Sequence, residues 1–286
     1  MREVTIVSTG NIALRQAIAT AAVVVLLTAA GGAQPQDAAG SDSRDLATKL
    51  SNPISSLVSV PFQFNWEQGV GPSKLTRFVL NIQPVMPFAV NDDLNLIVRV
   101  IAPLISQPPL ADGGTAASGV GDITTSFFFS PSASKRMTWG VGPVFVLPST
   151  SEPTLGSGKW SGGPTVVALK QTGSWTVGAL WNQVWSFSGD PIRNDVNQMF
   201  LQPFVSYQAA RTLTLTVQSE TTANWAVHED RWTVPINVLL AKLASFGAFP
   251  ASYQLGLGLF PVHPSAGPSW KIRAAIVILL PRAQPK

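Results

Sequence analysis

The sequence predicts an all-β fold: a single antiparallel transmembrane β-barrel of about twelve strands, with both termini on the periplasmic side. Three observations predict it. From about Pro61 to Arg282 the chain is a run of short segments in which polar and apolar residues alternate. The connections between those segments alternate short and long, as tight periplasmic turns alternate with longer outer loops in such barrels. The mean hydropathy is +0.23 with only 12% charged residues, yet no stretch beyond residue 33 supplies the roughly 20 apolar residues of a membrane helix. An apolar surplus without apolar runs is what a wall facing lipid at every second position produces.

Composition narrows the function classes. The 286 residues suffice for one large β domain, and 23 Pro with 23 Gly argue against long helices. With no cysteine, a disulfide framework and a thiolate metal site are excluded. The net charge of +4 is spread thinly. Lys135-Arg136 and Lys271 to Arg273 come nearest to basic clusters and are too sparse for a nucleic-acid footprint.

At the N-terminus, Arg2 and Arg15 precede an apolar run from Ala17 to Ala30, followed by Gly31 and Ala33 before Gln34. A charged region, a short apolar region and a small-residue exit describe a secretory signal peptide over residues 1–33. Residues 34–58 read as a periplasmic linker in which Asp45 to Val58 forms a short amphipathic helix or a segment tucked into a barrel mouth. Residues 59–286 are the expected barrel.

Strands are expected near Val60–Trp66, Lys74–Val90, Leu94–Ser106, Gly119–Ser130, Met137–Pro148, Lys159–Gln171, Trp175–Ser188, Val196–Gln208, Thr212–Ala223, Arg231–Ala244, Ala251–Val262 and Trp270–Leu280. The even count lets both termini share one side. The longer connections, Glu67 to Ser73, Gln107 to Ser118, Ser149 to Gly158, Gly189 to Asp195, Asn224 to Asp230 and His263 to Ser269, carry the Gly, Pro, Asp and Ser of loops. Between them lie shorter turns such as Asn91-Asp92-Asp93 and Thr172-Gly173-Ser174.

Period two is clearest in four strands. Leu213, Leu215 and Val217 alternate with Thr214, Thr216, Gln218 and Glu220. Thr233 and Asn237 oppose Val234, Ile236, Val238 and Leu240. Lys271 and Arg273 oppose Ile272, Ala274, Ile276, Ile278 and Leu280, and Arg77, Asn81 and Gln83 oppose Phe78, Leu80 and Ile82. The nine tryptophans fall mostly at strand ends, where aromatic girdles of a membrane barrel belong. Six prolines interrupt the pattern: Pro84, Pro103, Pro143, Pro164, Pro203 and Pro235. A proline takes a donor out of the ladder, and a closed barrel has no edge to hide it on, so bulges or kinks are expected at each.

The wording of the segments is also familiar. DLATKLSNPISSLVSVPFQFNWEQGVGP (Asp45–Pro72), LNIQPVMPF (Leu80–Phe88), GVGDITTSFFFSP (Gly119–Pro131), WGVGPVFVLPS (Trp139–Ser149), LGSGKWSGGPTVVALKQ (Leu155–Gln171), WNQVWSFSGD (Trp181–Asp190), DVNQMFLQPFVSY (Asp195–Tyr207) and WTVPINVL (Trp232–Leu239) run in order along the chain. Together they resemble a large proteobacterial family of outer-membrane transporters linked to the meta-pathway of phenol degradation, some of whose members carry the label neuromedin U. The resemblance implies a barrel in the outer membrane of a Gram-negative bacterium. It brings no catalytic residues, cofactor or metal, and it names no solute. The chain departs from the usual barrel ending, an aromatic read by the assembly machinery, in closing its last strand on Leu280-Pro281.

Candidate chemistry is sparse. His228 and His263 are the two histidines, both in expected outer loops. A lipase-like pairing of either with a loop serine such as Ser265 would need a carboxylate or amide partner beside them. No G-x-S-x-G elbow, recurring metal-ligand spacing or full phosphate-binding loop is present. The stronger candidates are polar residues expected to face the lumen: cationic Arg77, Arg99, Lys170, Lys271 and Arg273, and acidic Asp122 and Glu220. Inward charges tune channel selectivity, so the cationic excess predicts a preference for anions, aromatic carboxylates included. About twelve strands lie between side-chain-filled small barrels and open porins, so a narrow or plugged conduit is expected. The sequence thus points to an outer-membrane channel or transporter for small, including aromatic or hydrophobic, solutes, and not to an enzyme. The alternatives are a lipid-modifying enzyme or a structural barrel without transport. Expected partners are outer-membrane lipid, the solute and the barrel-assembly machinery, with no nucleic acid.

Overall fold

Alternating side chains commit most of this chain to extended backbone, because every second position must find the same medium. The computed structural model describes residues 40–54, 57–133 and 137–280. The expected export signal lies outside them. A helix, α1 (Gly40–Leu50), precedes fifteen strand segments: β1 (Val58–Val70), β2 (Leu75–Ile82), β3 (Val85–Ala89), β4 (Leu94–Gln107), β5 (Ala117–Val120), β6 (Ile123–Pro131), β7 (Thr138–Leu147), β8 (Lys159–Thr172), β9 (Trp175–Gly189), β10 (Asn197–Ala210), β11 (Leu213–Ser219), β12 (Thr221–Asn224), β13 (Trp232–Phe246), β14 (Phe249–Val262) and β15 (Trp270–Leu280).

Three pairs, β2 with β3, β5 with β6 and β11 with β12, each run along the same neighbours and form one wall strand. Among the described residues the wall therefore has twelve strands, all antiparallel. It closes where β1 meets β15, from Val58 opposite Leu280 to Gln68 opposite Trp270. Closure removes the exposed sheet edge that would otherwise template aggregation. The first and last strands begin and end at the same rim, which also carries the tight turns.

Boundaries differ from expectation in two places. β1 continues through Glu67 to Val70, so the first loop is only the turn before Leu75, where Gly71 takes a left-handed φ of 73°. At the other rim β13 and β14 run on into a tight hairpin around Gly247, φ 58°. Glycine adopts that region without a Cβ penalty.

The prolines behave in two ways. At Pro103 and Pro235 the expected bulges are present. Opposite Pro103 the pairing slips, from Leu104–Val120 to Ile101–Thr124, and around Pro235 from Val234–Val262 to Ile236–Leu259. At Pro84, Pro143, Pro164 and Pro203, where a bulge or a kink is expected, no bulge forms. The register runs straight through, and only rungs of the ladder are missing. Pro143 and Pro164 even face each other, Gly142 opposite Thr165 and Val144 opposite Gly163. A side chain on Gly142 or Gly163 would run into the Phe127 or Gln183 carbonyl of the next strand. Each Gly-Pro pair so lets its neighbour close in where a rung is lost.

The outward face is apolar. Leu215, Val217, Ile236, Val238, Leu240, Leu255, Leu257 and Leu259 all stand exposed, a contiguous patch far beyond what a soluble monomer displays. Trp66, Trp160, Trp185, Trp232 and Trp270 lie toward the loop rim, and Trp139 and Trp175 at the turn rim, as two girdles would place them. Trp181 departs from that pattern, standing mid-strand opposite Val166.

Inside, the wall is divided. Val85, Ile97, Phe128, Val167, Leu169, Leu180 and Phe204 form one buried apolar cluster that Ile54, ahead of β1, completes. The arc from β11 through β15 to β4 is polar instead, with Asn65, Gln83, Asn237, Lys271 and Arg273 buried.

Candidate functional site

The segment before β1 sets one end of the interior. Ala47 and Ile54 are buried. The Gln171 side-chain amide donates to the Thr48 carbonyl (2.8 Å), and the Thr48 hydroxyl donates to Gln208 (3.3 Å). Gln171 and Gln208 belong to the turn rim, so residues 40–54 lie across the turn-side mouth.

Above this floor is a cavity of about 370 Å³. It reaches from Leu50 to Pro53 up to Glu67 near the loop rim. Phe200, Phe204, Val85 and Ile101 supply its apolar lining, and Gln63, Asn65, Gln218 and the charged residues stand among them, Arg99 opposite Val85 and Gln218 opposite Phe204.

Glu220 organises the charges. It lies between β11 and β12, opposite Pro235 on one side and beside Pro203 on the other, so the ladder lapses around it. Arg273 grips its carboxylate with both terminal nitrogens, Nη1 to Oε1 at 2.7 Å and Nη2 to Oε2 at 2.6 Å. Lys271 Nζ adds a contact to Oε2 at 3.2 Å and lies 5.2 Å from the centre of the Phe260 ring. Closure of the barrel fixes these cations: Asn65 pairs with Arg273 and Glu67 with Lys271 across the β1–β15 seam. Arg273 Nε then donates to Asn65 Oδ1 at 2.7 Å.

Arg77 projects inward from β2 and pairs with Glu67, Nε to Oε2 at 2.7 Å. Arg99, on β4, donates from Nη2 to Gln83 Oε1 at 2.8 Å. Around Glu67 and Glu220, among the described residues, four cations (Arg77, Arg99, Lys271, Arg273) thus stand against these two carboxylates, a local net charge of +2.

Of the seven expected lumen residues, the structure brings Arg77, Arg99, Glu220, Lys271 and Arg273 into this interior. Two are corrected. Lys170 is exposed on the outward face of β8, next to buried Leu169. The inner face of β8 is apolar at that level, so polarity there marks the outside. Asp122 sits at the bulge between β5 and β6 and turns to the loop rim, where Oδ2 accepts hydrogen bonds from the Ser157 amide (2.6 Å) and hydroxyl (2.8 Å). It anchors the loop after β7, which Arg193 also holds through the Pro153 and Ser157 carbonyls. Glu67, Asn65 and Gln83 are among the interior residues that sequence reasoning did not name as site members. Continuing the period of β1 past Trp66 would have found Glu67.

The outer loops do not assemble the lipase-like grouping. Ser265 donates its hydroxyl to Asp230 Oδ2 (2.6 Å), and His263 Nδ1 faces the Pro264 carbonyl (2.8 Å). Hydrogen bonds from Ser265 hold the Asp230 carboxyl below its usual range. At the mouth of β8, hydrogen bonds from Lys159 and Ser186 do the same for Asp195.

No family model matches the chain, and no curated protein matches its sequence. Solved structures do match its fold. An outer-membrane channel from Pseudomonas putida F1 superposes with a TM-score of 0.60 at 18% identity, over 78% of this chain and 94% of that one. The NanC porin gives 0.52 at 10%, over 78% and 100%. Outer membrane phospholipase A from Escherichia coli gives 0.47 at 10%, over 84% and 98%. The fold is therefore that of outer-membrane channels and porins.

Proposed function

We propose that this protein is an outer-membrane channel for small solutes, hydrophobic and aromatic ones among them. The observation that carries the reading is the 370 Å³ cavity inside a lipid-belted barrel, lined by charged and apolar side chains together. Nothing in that lining resembles a reaction centre: its carboxylates are committed to cations, and the loop serine and histidine are not aligned for nucleophilic attack. The turn rim, with α1 across it, faces the periplasm, and the chain arrives there by export and the barrel-assembly machinery. The resemblance of eight segments to transporters of phenol degradation supports aromatic solutes as the cargo class.

Single-channel recording of the folded protein in a planar bilayer tests this. Segment 40–54 narrows the turn-side mouth, so the intact chain should give small steps with anion preference. A variant lacking residues 40–54 should give steps several-fold larger. Silence from both, with folding verified, overturns the channel reading.

A further inference from the structure

We infer that the cavity is a binding site for one small organic carboxylate, with Arg99 as the group that takes the anion. The inference rests on the channel reading and names its substrate class. Three interior cations already have carboxylates: Arg77 has Glu67, and Lys271 and Arg273 share Glu220. Among the described residues Arg99 has none within salt-bridge distance. Glu220, the carboxylate that acts on it at longer range, is held by the other two. Among the described residues the Arg99 side chain makes one hydrogen bond, to Gln83 Oε1, and Gln83 Nε2 is tied in turn to Gln63. Guanidinium offers five N–H donors in a planar fork that matches a carboxylate edge. Most of that fork is uncommitted, and Gln83 steadies it.

The surroundings define the rest of the ligand. Ile97 and Ile101 stand two residues to either side of Arg99 on β4, and Val85 is paired opposite it. Phe200 and Phe204 line the same cavity. A bare inorganic anion would satisfy the fork and leave this apolar field wet. A carboxylate on a hydrocarbon ring or short chain satisfies both, since taking its apolar surface out of water is favourable in proportion to the area buried. The volume lies within the roughly 300–1,000 Å³ of small-molecule clefts. Leu50 to Pro53 form its floor, so the bound anion rests against the segment that closes the mouth.

The test is fluorine NMR on the purified protein in detergent micelles, with 4-fluorobenzoate as probe and 4-fluorobenzamide as its uncharged counterpart. Fluorobenzoate should bind saturably and be displaced by benzoate, with far weaker competition from chloride or phosphate, and the benzamide should bind at least ten-fold more weakly. Arg99→Gln should weaken fluorobenzoate at least ten-fold and leave the benzamide unchanged. If Arg99→Gln fails the heat-shift test of folding, Arg99→Lys replaces it; lysine keeps the charge without the fork and should cost several-fold. Unchanged fluorobenzoate affinity in a folded Arg99 variant, equal binding of the benzamide, or phosphate competing as well as benzoate overturns the inference. Binding in micelles requires no passage. Arg99-dependent binding by a protein silent in bilayers would sink the channel and keep the site; conduction without binding would do the reverse.

Discussion

At Glu220 one carboxylate balances two cations that are each only 3% exposed. Removing one member of a buried ion pair leaves the other charge uncompensated, at a cost of about 3–5 kcal/mol. The Glu220 side chain keeps 20% exposure, which argues for the low end, about 3 kcal/mol. Glu220→Gln should therefore lower the temperature at which the folded band converts on an SDS gel. In protein that still folds, the interior charge rises by one and the reversal potential should move further toward anions; an unmoved potential would mean that the carboxylate does not face the solute path. Asp230 gives the opposite kind of residue, fully solvated and held by Ser265. Its pKa is depressed, so the contact is complete above the ordinary aspartate value of about 4 and is lost only as pH falls through the lower, folded-state value. The protection factor of the Ser265 amide should hold down to about pH 4 and collapse on further acidification. Collapse already between about pH 6 and 5 would rule the clamp out. Residues like these were legible where polar and apolar positions alternate cleanly, as for Lys271 and Arg273. Lys170 was misread because β8 turns apolar residues inward, toward Phe128 and Leu180, and the usual meaning of polarity inverts.

Strands are where the sequence was most readable, because period two and turn residues speak independently and agree. All twelve expected segments correspond to wall strands, and most ends fall within a few residues. The exceptions have local causes. Gly69 and Gly71 look like loop formers, yet β1 uses the first within a register shift and continues to Val70, which hid Glu67. The prolines, each expected to bring a bulge or a kink, fall into two groups. A bulge forms where the neighbouring strand has a residue to spare, at Gly121-Asp122 beside Pro103. Where Gly142 and Gly163 let adjacent backbones approach, the ladder loses a rung and the register survives. That difference depends on the partner strand and is invisible in the proline's own segment. For the segment before β1 the sequence leaves a short helix and a segment tucked into the mouth as alternatives, because its partners Gln171 and Gln208 lie more than a hundred residues away and only the closed barrel brings them to it.

For the molecule as a whole, the two faces of one wall live in different solvents, and that division is what makes a sheet of this size soluble in a bilayer and wet within. The belt has a midline and rims. Leu257, 61% exposed, stands midway along β14 beside Leu255 and Leu259. Phe249, 40% exposed, opens the same strand at the turn rim. In hydrocarbon a cation cannot be hydrated, and at the midplane arginine costs about 2–4 kcal/mol, falling to about 0–1 near the interface where the side chain can reach water. Leu257→Arg should therefore destabilise the barrel by about 2–4 kcal/mol in urea titrations of folding into lipid vesicles, and Phe249→Arg by about 1 or less. In a soluble β-structure with the same exposed leucines both changes would cost little, since an exposed Leu→Arg change in water is nearly free. Equal, small effects at both positions would remove the lipid belt from the account, and with it the reason for reading the interior as a path across a membrane.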